Sequence, residues 1–105
     1  ISSVSAIQGV KGYGLYSTVK AGLLGLMRSL AVELAPMRIN AIVPGGIRTK
    51  ATSFIYDSYD NLNPRCLLEE GTPVDFAKLV KFLLSDDSKW ITGQEFVIDG
   101  GSSIN

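Results

Sequence analysis

"RINAIVPGG", Arg38–Gly46, is a short and mostly apolar run that ends in a proline and two glycines. Residues 38 to 43 read as a buried strand of a parallel sheet, and Pro44, Gly45 and Gly46 read as the turn that closes it. Residues 16 to 35 before it read as a helix. Tyr16, Val19, Leu23, Leu24, Met27, Leu30, Ala31 and Leu34 recur there at three- and four-residue steps, giving one broad apolar face. Gly22 and Gly25 each lower the helix propensity by about 1 kcal/mol, which points to tight packing against another helix. Pro36 stops the helix.

Beyond the strand, residues 48 to 71 are the least regular part of the chain, with Phe54, Tyr56, Tyr59 and Pro64 among them. A span of that length without periodicity suggests a functional loop or short mobile helices, such as a lid. "TPVDFAKLVKFLLS" then opens with Thr72 as N-cap, Pro73 at the first helical position and Asp75 completing a capping box. Phe76, Leu79, Val80, Leu83 and Leu84 form the stripe expected to be buried, and the helix should end near Ser85. Asp86, Asp87 and Ser88 make a turn, and "EFVIDGG", residues 95 to 101, reads as a second buried strand.

Strand stub, helix, strand, irregular loop, helix, strand is the alternation of an α/β fold with a parallel sheet. Two parallel strands are too few for a stand-alone core. Ile1 has no methionine before it and reads as the last residue of a strand lying upstream. On both counts residues 1–105 are expected to be a single partial domain of a longer protein. Composition agrees with folded material: 46% of residues are hydrophobic and 19% charged. Ten basic and ten acidic residues cancel without any like-charge run, so nothing points to nucleic acid or an anionic membrane surface. Lys20, Arg28 and Glu33 break the longest apolar stretches well short of a membrane span. The single cysteine, Cys66, rules out an internal disulfide and suits a reducing, cytoplasmic setting. With no histidine and one cysteine, no zinc site of the usual ligands is expected.

The chemistry concentrates in "SSVSAIQGVKGYGLYSTVK", Ser2–Lys20. Gly9, Gly12 and Gly14 spell G-x-x-G-x-G, the reverse of the dinucleotide fingerprint. The acidic residue that fingerprint wants about twenty residues on falls at Glu33, inside the helix. The glycines therefore read as an ordinary flexible loop. Tyr16 and Lys20 stand four apart at a helix opening, on one face. An ammonium close to a phenol favours the phenolate, which suits a tyrosine that transfers protons near neutral pH. Tyr13 has only Ser17 at that offset, so the spacing selects Tyr16. Ser3 lies at the end of the strand stub, where a parallel sheet presents side chains to a ligand crevice. A hydroxyl there could hydrogen-bond a substrate oxygen and stabilise charge developing on it. Y-x-x-x-K alone is a chance pattern, and a serine in a turn is commonly a cap; the conjunction carries the weight.

"ISS", "YSTVK", "RINAIVPGGIRT", "GTPVDFAKLVKFLLSDDSKWITGQ" and "FVIDGG" occur in an order that resembles the latter part of a short-chain dehydrogenase/reductase. The resemblance covers nearly all of the chain except about residues 50 to 63. It implies a Rossmann-type doubly wound parallel sheet whose N-terminal nucleotide-binding half is missing here. It also implies oxidation of an alcohol, or reduction of a carbonyl, with NAD or NADP. Tyr16 would then be the general acid/base, Ser3 would position and polarise the substrate oxygen, and Lys20 would act on Tyr16 and hold the nicotinamide ribose. Pro44 and Gly45 would let the chain approach the nicotinamide, with the Ile47 backbone and the Thr49 hydroxyl holding its carboxamide. Residues of about 50–71 would cover the substrate, with Phe54, Tyr56 and Tyr59 as candidate walls. The two helices would build a homo-oligomer, a dimer or a tetramer. "APMRIN" is shorter than the family's usual link between helix and strand, which would either strain the strand or merely trim a surface loop. Sugar alcohols, hydroxysteroids and 3-oxoacyl thioesters all fit as substrates. The rival reading is a truncated, non-catalytic relative acting through its apolar helices as an interaction module.

Overall fold

The structure is a computed structural model that describes residues 1–50, 52–53 and 66–105. A short 3-10 turn, Val4–Ala6, leads into helix α1, Gly14–Glu33, followed by strand β1, Ala41–Pro44. Helix α2, Pro73–Leu84, a second 3-10 turn at Asp86–Ser88 and strand β2, Glu95–Ile98, complete the described elements. β1 and β2 pair in parallel, in the register Ala41↔Glu95, Ile42↔Phe96, Val43↔Val97 and Pro44↔Ile98.

The hydrogen bonds of β1 alternate between its two edges. Its odd residues face β2: Ala41 N–H donates to Gln94 O and Gly45 N–H to Ile98 O, each at 2.9 Å. Ile42 O faces the other way and accepts from Ser2 N–H at 2.8 Å. The segment around Ser2 thus lies along the opposite edge of β1, in the place expected for the strand stub. With neighbours on both edges, β1 is buried at Ala41, Ile42 and Val43, and Val43 is 0% exposed. Leu24 and Met27 of α1 pack on Ala41 and Val43, with Val4, Ala6 and Ile39 at the margin. Burial of each such large side chain contributes about 1.5–3 kcal/mol.

The helix assignments hold to within two residues, but their buried faces are narrower than the periodicity suggests. On α1, Leu24, Met27 and Ala31 are buried, whereas Tyr16, Val19 and Leu34 are exposed. Leu84 of α2 is 80% exposed, and only Leu83 of the expected stripe is fully buried. The described sheet is too small to cover a whole helix face. Gly22 and Gly25 likewise have no neighbour within 4 Å of where a Cβ would stand, so no close helix contact explains them among the described residues. The capping box of α2 forms as read: Thr72 N–H donates to Asp75 Oδ2 at 3.0 Å and Thr72 Oγ1 at 2.6 Å. These hydrogen bonds from Thr72 hold the Asp75 carboxyl below its ordinary value.

Strand pairing stops short of residue 38, yet "RIN" is tied down by other means. Ile39 O accepts from Gly93 N–H at 2.7 Å, and Asn40 clamps the same loop through Ile91 O and Gln94 N–H, each at 3.0 Å. Arg38 donates to Ser88 Oγ at 3.0 Å and to Ser85 O at 3.3 Å. The shortened link before it ends α1 with a tight turn that contains a cis Ala35–Pro36 peptide bond, Met37 N–H donating to Leu34 O at 2.9 Å, and among the described residues only glycines have a positive φ.

Ser88 is 0% exposed, and its single proton is shared among Phe82 O, Leu83 O and Ser85 O at 2.9–3.0 Å. Those carbonyls belong to the end of α2 and the turn after it, where intrahelical donors run out. Ser88→Ala is expected to destabilise the fold by about 1–3 kcal/mol, because it strands both the carbonyls and the Arg38 donor. A urea unfolding midpoint equal to that of the parent protein would contradict this.

Candidate active site

Ser3, Tyr16, Pro44, Gly45, Ile47 and Thr49 come together around one cavity of about 440 Å³ at the C-terminal end of β1. Its floor is the turn that leaves β1, and one side is the opening of α1. A volume in that range, with mostly apolar walls and a few convergent hydroxyls, is typical of a small-molecule site. Thr52, at the edge of the irregular loop, and Pro73 and Phe76 of α2 also border it. Phe54, Tyr56 and Tyr59, read as candidate walls, lie outside the described residues.

Ser3 has the two properties that its dual reading requires. Its Oγ accepts from Ser5 N–H at 3.2 Å, capping the 3-10 turn. Its own proton has no acceptor among the described residues. The cap orients the oxygen and leaves the donor for the cavity. Lys20 is not a wall of the cavity. Its ammonium stands 5.6 Å from the Tyr16 ring centroid and donates to Ile1 O at 3.2 Å. A cation over an aromatic face at that distance is attracted to the ring. One donor of the ammonium is thus fixed on the strand stub.

Three contributors escape a reading of the sequence. Ser2, 3% exposed, donates from its hydroxyl to Lys20 O at 2.8 Å and so locks the first turns of α1 to the segment carrying Ser3. Thr52 Oγ1 donates to Ile47 O at 2.9 Å, accepts from Thr49 N–H at 2.8 Å and meets Thr49 Oγ1 at 3.0 Å, shaping the turn after Gly46. Tyr13 meets Tyr16 edge to face. The Ser2 pairing spans eighteen residues and has no spacing signal, whereas Tyr13 and Thr52 each stand three residues from their partners.

Gly45 is also required by its closest neighbour. A Cβ there would stand 2.7 Å from Asp99 Cβ and 2.8 Å from Asp99 Cα. Asp99 in turn holds the end of the chain. It accepts from Gly101 N–H at 2.9 Å, Ser103 N–H at 2.7 Å and Ser102 Oγ at 3.3 Å. Partial burial opposes its charge, but the hydrogen bonds from Ser103, Gly101 and Ser102 outweigh that and hold the carboxyl below its ordinary value. A group depressed in the folded state stabilises fully above its unfolded pKa, near 3.9, and loses that contribution as pH falls through the folded value. The stability gap between the parent protein and Asp99→Asn is accordingly expected at pH 7 and should shrink below about pH 4. Equal unfolding midpoints at pH 7, or a gap unchanged by acid, would refute it.

Burial first, then the Asp99 and Glu70 carboxylates, push the Cys66 thiol up from the ordinary value, away from the reactive thiolate.

The model of the family described as Enoyl-(Acyl carrier protein) reductase matches residues 1–103. The chain is 39% identical over 106 residues to short-chain dehydrogenase/reductase SDRA of Arabidopsis thaliana, covering 96% of this chain and 42% of that protein. The chain belongs to the short-chain dehydrogenase/reductase family. It is also 38% identical over 105 residues to 3-oxoacyl-(acyl-carrier-protein) reductase FabG of Chlamydia trachomatis, covering 96% and 42%. The structure of 4-hydroxyisoleucine dehydrogenase complexed with NADH superposes with a TM-score of 0.91 at 34% identity, over 99% of this chain and 45% of that one. The chain therefore spans about two-fifths of the length of the curated relatives it matches. Its helices and parallel strands are a portion of the family's Rossmann-type sheet. No helix among the described residues is long and apolar enough to cross a membrane.

Proposed function

We propose that the whole protein carrying this chain is an NAD(P)-dependent oxidoreductase that interconverts an alcohol and a carbonyl. The convergence of Ser3 and Tyr16 on the cavity beneath Pro44–Thr49 carries the reading. A related structure solved with NADH, which matches 99% of this chain over 45% of its own length, supports the cofactor class. The cavity also fits a flat nicotinamide: the Pro44–Ile47 turn offers backbone and apolar surface, and Thr49 a hydroxyl. Tyr16, Lys20, Pro44, Gly45, Ile47 and Thr49 would hold the nicotinamide end, and the rest of the nucleotide needs a site beyond the described residues.

A bound nicotinamide would accept or supply the hydride at the substrate carbon. In the reducing direction the Tyr16 hydroxyl gives its proton to the substrate oxygen as that carbon gains the hydride. In the oxidising direction the Tyr16 phenolate takes the proton back. Ser3 donates to the same oxygen and stabilises its developing charge. The Lys20 ammonium, 5.6 Å from the Tyr16 ring centroid, is attracted to the ring and helps to hold it in place.

The helices suggest assembly as well. Val19, Leu26 and Val32 leave apolar surface on α1, as Leu84 does on α2, which supports a homo-oligomer. The same surface is what the rival, a non-catalytic interaction module, would use. Turnover separates the two. The whole protein is tested by nicotinamide absorbance against sugar alcohols, hydroxysteroids and 3-oxoacyl thioesters, beside its Tyr16→Phe variant. Turnover that depends on Tyr16 is expected; an inert parent protein would favour the rival.

A further inference from the structure

We propose that Tyr13 is a positioning residue for Tyr16, an inference that rests on the acid/base reading above. The two rings meet edge to face, with centroids 5.7 Å apart and planes at 87°. That is the arrangement aromatic quadrupoles prefer, a positive edge against a negative face. Both rings border the same cavity.

Tyr16 needs such support. Its side chain is 45% exposed and sits in the first turn of α1, so little of the core restrains it. Half-exposed side chains change rotamer within nanoseconds. Proton transfer, however, requires the phenol oxygen to remain within hydrogen-bond reach of the substrate oxygen, and a misplacement of about 1 Å can cost as much as 100-fold in rate. Two neighbours restrain the ring: the Lys20 ammonium, 5.6 Å from the centroid, and Tyr13.

The backbone of Tyr13 is held at both of its polar groups. Its N–H donates to Val10 O at 3.1 Å, and its carbonyl accepts from Ser17 N–H at 2.7 Å. As the residue that begins α1, it cannot shift without disturbing the helix's first hydrogen bond. Its hydroxyl makes no hydrogen bond among the described residues, so the ring is the working part. Removal of the ring should therefore loosen Tyr16. Because Tyr13 also borders the cavity, kcat and KM are read separately, and a rise in KM with kcat unchanged would make Tyr13 a wall of the cavity and overturn the positioning role.

The test uses the whole protein with its best substrate from the nicotinamide panel, and compares Tyr13→Phe, Tyr13→Leu and Tyr16→Phe. Tyr13→Phe preserves the edge-to-face contact and should keep kcat within about twofold of the parent. Tyr13→Leu should lower kcat by about 3–10-fold, with KM for substrate and nicotinamide little changed. Thermal midpoints for all three variants verify folding, and Tyr13→Ser offers a second loss of the ring if Tyr13→Leu is insoluble. A Tyr13→Leu kcat equal to the parent's, beside an inactive Tyr16→Phe, overturns the positioning role and leaves the acid/base reading standing. A Tyr13→Phe loss as deep as that of Tyr13→Leu also overturns it, since the hydroxyl would then be what matters. If Tyr16→Phe keeps full turnover, the acid/base reading fails, and the role of Tyr13 with it.

Discussion

Tyr16→Phe in the whole protein is expected to lower kcat by about 10²–10⁴-fold, the usual contribution of a positioned acid/base. That corresponds to about 3–5 kcal/mol of transition-state stabilisation. The substitution is a clean one. It deletes a single oxygen from a half-exposed ring, leaves α1 its helical residue, and keeps the aromatic surface that Tyr13 and Lys20 contact. Folding stability should barely move, and binding of reduced nicotinamide, followed by its fluorescence, should weaken far less than kcat falls, since Tyr16 is one of several residues placed at the nicotinamide end. A loss of kcat that far exceeds the loss of cofactor affinity then reports proton transfer. Ser3→Ala would be a less decisive experiment. The Ser3 oxygen also accepts from Ser5 N–H, so its removal mixes lost polarisation of the substrate with a lost cap worth about 1 kcal/mol. Retention of the parent's kcat by Tyr16→Phe would remove Tyr16 from the chemistry altogether.

The parts of this fold that were legible in the sequence are those set by local pattern. Helix periodicity places α1 and α2 to within two residues, and the Thr72–Asp75 box forms because both partners sit within one turn. The "AIVP" run is buried because β1 has a neighbour on each edge. The strands proved shorter than read, Ala41–Pro44 for residues 38 to 43 and Glu95–Ile98 for 95 to 101, and for a physical reason. Arg38 and Asn40 bond through side chains, and Asp99 turns the chain back on itself, so ladder geometry ends where side-chain geometry begins. Exposure was less legible. An apolar stripe says that something covers it, not what, and Val19 and Leu84 find no cover among the described residues.

At the candidate site the same division holds. Tyr16 and Lys20 were readable because four residues is a helical spacing, and Ser3 because it ends a strand stub. Tyr13 and Thr52 meet Tyr16 and Thr49 only three residues away, a spacing that the reading passed over, whereas Ser2 was not readable, since its partner is fixed only by how the opening loop folds. Ser2 reaches Lys20 O across eighteen residues of sequence. No local pattern encodes such a pairing.

Gly45→Ala should be a damaging small substitution, and Asp99 alone gives reason enough. The added methyl would stand 2.7 Å from Asp99 Cβ and 2.8 Å from its Cα. A flexible side-chain tip could yield to such a contact, but Cα and Cβ cannot move without the backbone. That backbone is held on both sides: Gly45 N–H donates to Ile98 O at 2.9 Å, and Asp99 gathers the Gly101 and Ser103 amides at 2.9 and 2.7 Å. Relief of the clash must therefore separate the ends of β1 and β2 or rotate the Asp99 turn. Overpacking of this kind costs about 1–3 kcal/mol, and a contact with backbone belongs at the upper end. The thermal midpoint should fall by several degrees, at about 2–4 °C per kcal/mol for a domain of 150–250 residues. Activity should fall too, because Pro44, Gly45 and Ile47 form one wall of the cavity. Gly14→Ala is the matched control. No atom lies within 4 Å of its missing Cβ, and alanine in the first turn of α1 should leave the midpoint unchanged or raise it. Equal midpoints for the two variants would mean that β1 and β2 part freely at Gly45, and the close approach to Asp99 would then be no constraint on the site.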